Sequence, residues 1–423
     1  MASKLFDLIV FGASGFTGRL VAQHLHQRYG AVNGDGGDGG DLADRSLRWA
    51  MAGRDLAKLA RVRDAIGVPT SVPLIAADAA DAPGLARLVA QAGAVITTVG
   101  PYARYGQPLV TACAQVGCDY LDLCGEPDWM ARMIPLLQRP AQASGARIVF
   151  SCGFDSIPFE LGVMFLQAEA QRRFGAPLRQ VRGRVRSVKG GPSGGTLASA
   201  LGTQAAMARD PSVAQLMADP FALVHTLVPG FRGPPQPDVE DASYDDWSAA
   251  WSVPFLMATI NSKNIHRSHA LAGHPWGRDF EYNERMLTGA GVAGERRARG
   301  LARKIRVQNW LLRHTASREL LRRFVLARPG EGPDQRQRDG GHFDLSFTGL
   351  SARGELLRAG VTGDRDPGYG STSKMIVETA LCLLQAVDRG RTPGGVWTPG
   401  AAMGLALQQR LQARAGLNFA IEN

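Results

Sequence analysis

Long apolar runs and paired cysteine motifs are both missing from this sequence. It contains no stretch of about 18 uncharged apolar residues, so we expect no transmembrane span. Asp7 interrupts the apolar residues near the N-terminus, so we expect no signal peptide. The five cysteines form no C-x-x-C pair and are odd in number, which argues against a metal site or a disulfide framework. A reducing cytoplasm is therefore the expected compartment.

Aromatic residues are scarce, and the charge is unevenly distributed. The 423 residues are 45% hydrophobic, 20% charged and 7% aromatic, a balance that excludes a disordered chain and a collagen-like repeat. The length predicts two or three domains. The net charge is +10, yet Arg296–Arg328 alone holds 11 basic residues and one acid, and the remaining chain holds 37 of each. The excess is therefore a local basic patch.

The first part of the chain alternates short apolar runs with helix-length patterns. Strands that are apolar on both faces and separated by helices are typical of a parallel sheet in a doubly wound α/β fold. The predicted strands are Leu5–Phe11, Leu47–Ala52, Val72–Ala76, Ala94–Val99, Tyr120–Leu123 and Arg147–Ser151. The predicted helices are Gly18–Arg28, Leu56–Ile66, Ala82–Gln91, Pro108–Val116 and Met130–Ser144.

The pattern weakens along the rest of the chain. Val181–Val188 and His342–Leu350 predict strands, Ser371–Asp388 predicts a helix, and the glycines of Gly190–Gly195 predict a loop. Asn33–Asp44 is so rich in glycine and aspartate that we expect a surface insertion without fixed structure.

The strongest local signal is the segment Gly12–Gly18 (GASGFTG), directly after the first strand. Gly12 permits a tight turn, Gly15 lets the backbone approach a diphosphate, and Gly18 allows close packing of helix on strand. Amides and dipole at the start of the helix favour an anion. We therefore predict that Gly12, Ser14, Gly15, Phe16, Thr17 and Gly18 bind a dinucleotide, although many dehydrogenases use the different spacing G-x-G-x-x-G.

The ends of the second and third strands favour NADP(H). An NAD site usually has an acid at the end of the second strand, but here Gly53 is followed by Arg54. Arg54 can pair bidentately with a 2′-phosphate and stack on adenine. Asp55, the next residue, leaves an NAD-type contact open. Asp78 closes the third strand and either accepts the adenine amino group or caps a helix.

Three candidate proton donors follow predicted strands at the carboxyl edge, where open α/β sheets bind ligands. Gly100 and Pro101 are expected on the nicotinamide side of the cofactor, and Tyr102 beside them either donates a proton or stacks. Glu126 and Asp155 are the other two candidates, each with an alternative role as cap of the proline-started helix that follows it. No tyrosine has the Tyr-x-x-x-Lys spacing of short-chain dehydrogenases.

Five motifs occur in an order and spacing that resemble the saccharopine dehydrogenase-like oxidoreductases, most closely the trans-acting enoyl reductases. They are Gly12–Gly18, Ala52–Arg54, Gly100–Tyr102, Asp122–Glu126 and Gly153–Pro158, and the likeness extends to Ser193–Thr196 and Asp366–Tyr369. The resemblance implies an NADP-binding Rossmann domain (1–165) and an α+β substrate or dimerisation domain (166–365). It also implies a C-terminal helical segment (366–423) that packs back on the Rossmann domain.

The resemblance implies two chemistries. One is NADPH-dependent reduction of a C=C bond in an acyl or polyketide-type lipid precursor, free or bound to a carrier. The other is hydride transfer at an imine carbon, as in saccharopine enzymes. The arginines that would hold several substrate carboxylates have no residue-by-residue match here, so we favour the enoyl reductase. A non-catalytic NADP-binding protein that recruits a membrane or a partner is the third alternative.

The basic segment Arg296–Arg328 carries Leu301, Ile305 and Leu312 at near-helical spacing. We expect a core-facing stripe with a basic face that is either merely solvated or docks an acidic carrier protein or an anionic membrane surface. In the latter case the protein is peripheral at the membrane. No nucleic-acid module accompanies the patch, so we expect no nucleic acid as a partner. The oligomeric state is open, with a homodimer among the options.

Overall fold

The computed structural model describes residues 4–30, 47–191, 194–237, 241–313 and 332–422. The segment Asn33–Asp44, Ser193 and the part of the basic segment from 314 to 331 lie outside the described residues. Within the described ranges, no helix combines the length and the hydropathy needed to cross a lipid bilayer.

The N-terminal part alternates strands and helices, as predicted. Its elements are β1 (Phe6–Phe11), α1 (Phe16–Tyr29), β2 (Trp49–Gly53), α2 (Leu56–Ala65), β3 (Leu74–Ala76), α3 (Ala82–Ala90), β4 (Ala92–Thr97), α4 (Tyr102–Val116), β5 (Asp119–Leu121), α5 (Pro127–Ser144), β6 (Arg147–Val149) and α6 (Ile157–Phe174).

The remaining elements form a second sheet, its helices and a C-terminal segment. They are β7 (Gln180–Lys189), α7 (Gly194–Arg209), α8 (Pro211–Ala218), β8 (Ser243–Asp245), β9 (Ala250–Pro254), α9 (Ala258–Leu271), β10 (Glu281–Gly289), α10 (Gly291–Arg313), α11 (Gln335–Asp339), β11 (His342–Leu350), β12 (Leu356–Gly363), a π-helical turn (Pro367–Ser371), α12 (Thr372–Gln385), β13 (Gly395–Trp397), α13 (Pro399–Arg414) and β14 (Leu417–Glu422).

Two seven-stranded sheets organise the chain. The first is parallel, with the order β13-β6-β5-β4-β1-β2-β3, which confirms the doubly wound Rossmann prediction and places the switch point between β1 and β4. The second has the order β14-β12-β11-β7-β10-β9-β8; its β7–β10 pair is parallel and its other pairs are antiparallel. The core residues of β1 (Leu8, Ile9 and Val10) are completely buried, as expected for a strand covered on both faces.

Helix α6 joins the two sheets, because it leaves the first sheet and packs on β11 and β12. Gly162 on this helix lies against Phe347, so close that a Cβ atom would stand 2.3 Å from the ring. Phe154, in the loop before α6, packs on Phe343 with 4.9 Å between the ring centroids. The cores of the two sheets are therefore continuous across α6.

The C-terminal segment contributes to both sheets. Strand β13 pairs with β6 in the first sheet, and β14 pairs with β12 in the second. Between them, Glu378 on α12 is buried and accepts hydrogen bonds from Tyr29 on α1 (2.6 and 2.7 Å) and from Arg410 on α13 (2.7 Å). Burial and the neighbouring Glu378 raise the pKa of Tyr29 to about 12. This cluster fastens the segment to the first helix of the Rossmann domain.

A buried ion pair lies at the amino edge of the first sheet, opposite the carboxyl edge. The guanidinium of Arg147, which begins β6, donates two hydrogen bonds (2.5 and 3.0 Å) to the carboxylate of Asp119, which begins β5. The backbone amide of Arg147 (2.9 Å) and the side chain of Arg389 in the C-terminal segment (3.0 Å) each donate one more. The Arg147 and Asp119 side chains are at most 2% exposed, so loss of the arginine would leave a carboxylate inside the protein with less compensation.

We predict that Arg147→Met lowers the free energy of unfolding by about 3 kcal/mol, because the remaining buried carboxylate is poorly compensated. The matched control is Arg48→Met, which removes a pair with Asp7 whose side chains are 49% and 36% exposed, and which we expect to cost about 0–1 kcal/mol. Urea-induced unfolding followed by circular dichroism measures both. Equal losses in the two variants would contradict the proposed cost of burial.

Candidate functional site

The predicted phosphate loop lies at the switch point between β1 and β4. Gly12 has a φ of +87°, and a Cβ atom on it would stand 2.7 Å from Val99. A Cβ atom on Gly18 would stand 2.2 Å from the carbonyl oxygen of Gly12. The spacing therefore works as predicted, with Gly12 for the turn and Gly18 for the close contact between helix and strand.

The start of α1 is free to receive an anion. Its N-cap is Gly15, no side chain among the described residues caps it, and its first turn contains no acidic residue. The amide of Gly15 bonds to the carbonyl oxygen of Gly12 (2.9 Å), whereas the amides at Phe16 and Thr17 lie in the first turn, where a helix has no partners of its own. These groups fit the diphosphate of a dinucleotide.

Two arginines add positive charge beside this helix. Arg19 lies over the ring of Phe16 (4.5 Å to the centroid), and Arg338, from α11, approaches the same ring (5.7 Å). Burial and the charge of Arg338 lower the pKa of Arg19. Tyr369 packs edge-on against Phe16 with 4.6 Å between centroids. Arg338 lies in no motif of the sequence. The nearest sequence signal is the motif Asp366–Tyr369, which contacts the same loop.

The end of β2 presents a cation and no free acid. Arg54 is exposed and makes no ion pair with any residue in the described ranges. Asp55 instead caps α2, accepting the amide of Lys58 (2.9 Å), which explains why an acid here does not mark an NAD site. Asp78 accepts the amide of Ala80 (2.9 Å) and is not a helix cap. Asp81 caps α3, so the capping alternative for Asp78 was wrong.

Tyr102 lies beneath the loops of the carboxyl edge. It begins α4 directly after the cis peptide Gly100–Pro101 and is 6% exposed. Its hydroxyl donates to the carbonyl oxygen of Thr97 (3.3 Å) and accepts the amide of Leu123 (3.0 Å). Burial raises its pKa well above the ordinary value. Both hydrogen bonds join backbone segments, so the geometry favours a positioning role for Tyr102.

Glu126 caps a helix, but a different one from the helix expected. Its carboxylate accepts the amides of Tyr102 (2.9 Å) and Ala103 (2.8 Å) at the start of α4 and the hydroxyl of Ser199 on α7 (2.7 Å). It makes no capping bond to α5, the helix that begins at Pro127. Glu126 therefore connects the loop after β5 to α4 and to the second domain.

Asp122 holds together the loops that follow β5 and β6. This buried carboxyl accepts hydrogen bonds from Tyr120 (2.9 Å), the amide of Cys124 (3.0 Å) and the amide of Ser151 (2.9 Å). Burial, partly offset by these bonds, raises its pKa to about 7. Ser151 has a φ of +62°, and its hydroxyl bonds to the carbonyl oxygen of Cys124 (2.6 Å). The edge of the sheet is thus rigid around the predicted cofactor position.

Asp155 differs from the other acids of this edge because its carboxylate makes no hydrogen bond to any residue in the described part of the chain. It does not cap α6, whose N-cap is Ser156 without a side-chain bond, so the capping alternative was wrong here too. Burial raises the pKa of Asp155 to about 7, although its surface is not fully covered. A carboxyl group of this kind can exchange a proton near neutral pH.

The second domain adds a polar cluster beside Asp155. Glu284 on β10 accepts hydrogen bonds from Asn261 on α9 (2.7 Å) and from Tyr282 (2.8 Å). One helical turn further, Asn264 donates to the hydroxyl of Ser156 (2.6 Å). Burial first, and then the charge of Asp155, raise the pKa of Glu284 to about 8. The charge of Asp155 therefore acts on the Glu284 carboxyl of the second domain.

This cluster has further hydrogen-bonding capacity. The side-chain oxygens of Asn261 and Asn264 are buried without a partner among the described residues, and both residues are at most 1% exposed. Unpaired buried acceptors favour a proton-bearing group next to them. The sequence analysis identified none of the second-domain residues, because they follow no motif and are more than 100 positions from Asp155 in the chain.

Comparison with known proteins gives one match to the first domain and others to nearly the whole chain. Residues 8–149 match the family model of the saccharopine dehydrogenase NADP binding domain. The glycine cradle, the open start of α1 and the unpaired Arg54 fit that cofactor, and the Rossmann domain is accordingly an NADP(H)-binding domain. The residues predicted to hold it, at the first three strands and at Gly100 and Pro101, stay a prediction.

Relatives match over nearly the whole chain. The trans-acting enoyl reductase of Mycobacterium ulcerans is 34% identical, with 97% of this chain and 96% of that protein covered. A Mycobacterium tuberculosis protein that bears the same name with a provisional qualifier is 37% identical, with 98% and 97% covered. The solved apo saccharopine dehydrogenase (L-Glu forming) of Saccharomyces cerevisiae has a TM-score of 0.53 at 12% identity, covering 99% of this chain and 100% of that one. It is similar in fold.

We predict that Arg54→Asp lowers the affinity for NADPH by about 10- to 100-fold, because a charge-assisted contact to the 2′-phosphate is lost and a like charge replaces it. Affinity for NADH, which lacks this phosphate, is expected to hold or rise. Titration calorimetry with both coenzymes measures the change. Arg353→Asp, in the exposed turn between β11 and β12, is the matched control; an equal loss in that variant would contradict the assignment.

Proposed function

Because the chain belongs to the trans-acting enoyl reductases of the saccharopine dehydrogenase-like oxidoreductases, we propose that it reduces the C=C bond of an unsaturated acyl thioester with NADPH. The acyl group belongs to a lipid or polyketide-type precursor. As the name of the relatives suggests, a separate carrier presents it. The five cysteines are buried and unpaired, in keeping with work in a reducing cytoplasm.

The observation that carries this proposal is the isolated carboxyl group of Asp155 at the carboxyl edge. Reduction of a conjugated C=C bond needs a hydride at the carbon far from the carbonyl and a proton at the carbon next to it. NADPH, when bound, supplies the hydride. Asp155 is the group in this chain suited to supply the proton, because its pKa of about 7 leaves much of it protonated at neutral pH.

Glu284 is a second carboxyl with a raised pKa at this position. Burial, and to a smaller extent the charge of Asp155, raise the pKa of Glu284 to about 8, which favours its protonated form at neutral pH. Asn261 and Tyr282 hold Glu284 in place (2.7 and 2.8 Å). Arg184, whose charge lowers the pKa of Glu284, is bound to Asp245 (2.5 Å) and to Asn283 (2.7 Å). Among the described residues, neither Asp155 nor Glu284 makes an ion pair that would hold its carboxyl ionised.

The same charges argue against an amino-acid dehydrogenase of the saccharopine type. Such an enzyme binds a substrate with several carboxylates, which needs free cations. Beside Asp155 the described side chains are carboxyls, amides and phenols. The buried arginines Arg147, Arg184 and Arg267 are each bound to protein groups. A neutral enoyl thioester suits this surface better than a polyanion.

The discriminating assay is NADPH oxidation by the purified chain. We expect turnover with a 2-enoyl thioester and none with a 2-oxo acid plus an amino acid, because the latter substrates carry anionic groups that meet the carboxyl pair. Mass spectrometry of the saturated product measures the outcome. Faster NADPH oxidation with the 2-oxo acid plus amino acid would contradict the enoyl reductase and favour reduction of an imine.

We predict that Asp155→Asn lowers kcat about 10²- to 10⁴-fold, the usual contribution of a general acid, and leaves NADPH affinity unchanged. In the unmodified protein kcat is expected to fall as pH rises through about 7, because only the protonated carboxyl donates. In D155N this fall of kcat with rising pH should be absent. The matched control is Glu160→Gln, a buried carboxyl whose pKa is also about 7 but which bonds to the amide of Gly400 (2.9 Å). Unchanged kcat in D155N would refute the role.

A further inference from the structure

Helix α10 has an outer face in which three arginines lie between apolar side chains at its two ends. The helix has 23 residues and a length of about 34 Å. Ala298 and Ala302 are buried, and Ile305 packs beside them against β9 and β10. The outer face consists of Val292, Arg296, Arg299, Arg303, Val307 and Trp310. At 100° per residue these six positions fall within an arc of about 80° on the side away from the core.

The apolar members of this face are unusually open. Val292 is 64% exposed, Val307 51% and Trp310 60%. Large apolar side chains that share a surface with cations mark an interaction site more often than scattered ones do. They lie on the same arc as three arginines. Helix α10 therefore has one apolar stripe that packs in the core and a second stripe, of apolar and basic side chains, that is exposed at the surface.

Most of the positive charge of α10 is uncompensated. Arg296, Arg297, Arg303 and Lys304 make no ion pair with any residue that the structure describes. Two other cations of α10 pair at the surface, Arg299 with Glu295 and Arg306 with Asp241. Since the basic excess of the whole chain is confined to this segment and its continuation, the local potential is strongly positive.

A groove borders the outer face along one side. It has a volume of about 810 Å³ and lies between α10 and strands β9 and β10. Leu287 and Leu301 supply apolar wall, and Arg297 and Lys304 stand at its margin. The groove therefore offers apolar surface next to two unpaired cations, the combination that an anionic headgroup with its first methylenes requires.

We propose that the outer face of α10 and this groove bind the surface of an anionic lipid bilayer. Arginines attract the headgroups, and Trp310 with the two valines enters the interfacial region, where tryptophan is favoured. An acidic protein would use the same cations, but exposed apolar side chains at both ends of the arginine row, with a tryptophan among them, suit the interfacial region of a bilayer better. The inference is independent of the reaction at Asp155.

The test is cosedimentation with vesicles of equal parts phosphatidylcholine and phosphatidylglycerol, compared with vesicles of phosphatidylcholine alone. We expect binding to the anionic vesicles that weakens as salt rises. Arg296→Gln/Arg303→Gln should reduce the binding constant about 25-fold, since each basic residue near the surface contributes a factor of about five. Trp310→Ala should reduce the binding that persists at high salt.

The matched control is Arg61→Gln/Arg87→Gln, which removes two exposed cations from α2 and α3 and should bind vesicles like the unmodified protein. NADPH affinity is measured for every variant to show that each is folded. Failure to bind anionic vesicles, or equal losses in the two double variants, would overturn the proposal. Arginine-dependent binding to an acidic carrier protein without vesicle binding would also overturn it, and would identify α10 as a protein-docking face.

Discussion

The close approach of α1 to β1 is the constraint on which the rest of the site depends. Gly18 lies so near the carbonyl oxygen of Gly12 that no side chain fits between them. This contact sets where α1 begins, and with it where the uncapped amides point. The position of the diphosphate then sets which loops face the rest of the dinucleotide, namely those after β4, β5 and β6. One backbone contact therefore aligns the cofactor with the chemistry at the far end of the edge.

The acidic side chains at the carboxyl edge of the first sheet differ in the groups to which they hydrogen-bond. The carboxylates of Asp122 and Glu126 accept hydrogen bonds from backbone amides of neighbouring segments. The hydroxyl of Tyr102 also bonds to backbone groups of this edge. Asp155 has no such bond in the described structure, and its charge contributes to the raised pKa of another carboxyl, Glu284. A rigid surround with one uncommitted, proton-holding group is the arrangement expected of a preorganised active site. The second domain contributes the neighbour, so neither domain holds the complete site.

Sequence reasoning succeeded where a few adjacent residues decide the structure. The glycine segment, Arg54 and the alternation of the first domain are of this kind. It failed where the deciding partner is distant. Helix α4 was expected to start near Pro108, a residue favoured in first turns, but it starts at Tyr102 because Glu126 caps it from 24 positions away. Glu284 lies on β10, whose place in the second sheet is set by its parallel pairing with β7, and no local pattern encodes that pairing.

The threading of the C-terminal segment sets the order in which the molecule can be completed. The last two strands close an edge of each sheet, and Arg389, which precedes them, supports the ion pair beneath β5 and β6. Domains generally fold from the N-terminus as the ribosome extends the chain. Here neither sheet is complete until the last two strands are made. A nascent or prematurely terminated polypeptide therefore leaves β6 and β12 each without one partner strand. In the finished chain β13 covers the edge of β6, and β14 covers the edge of β12.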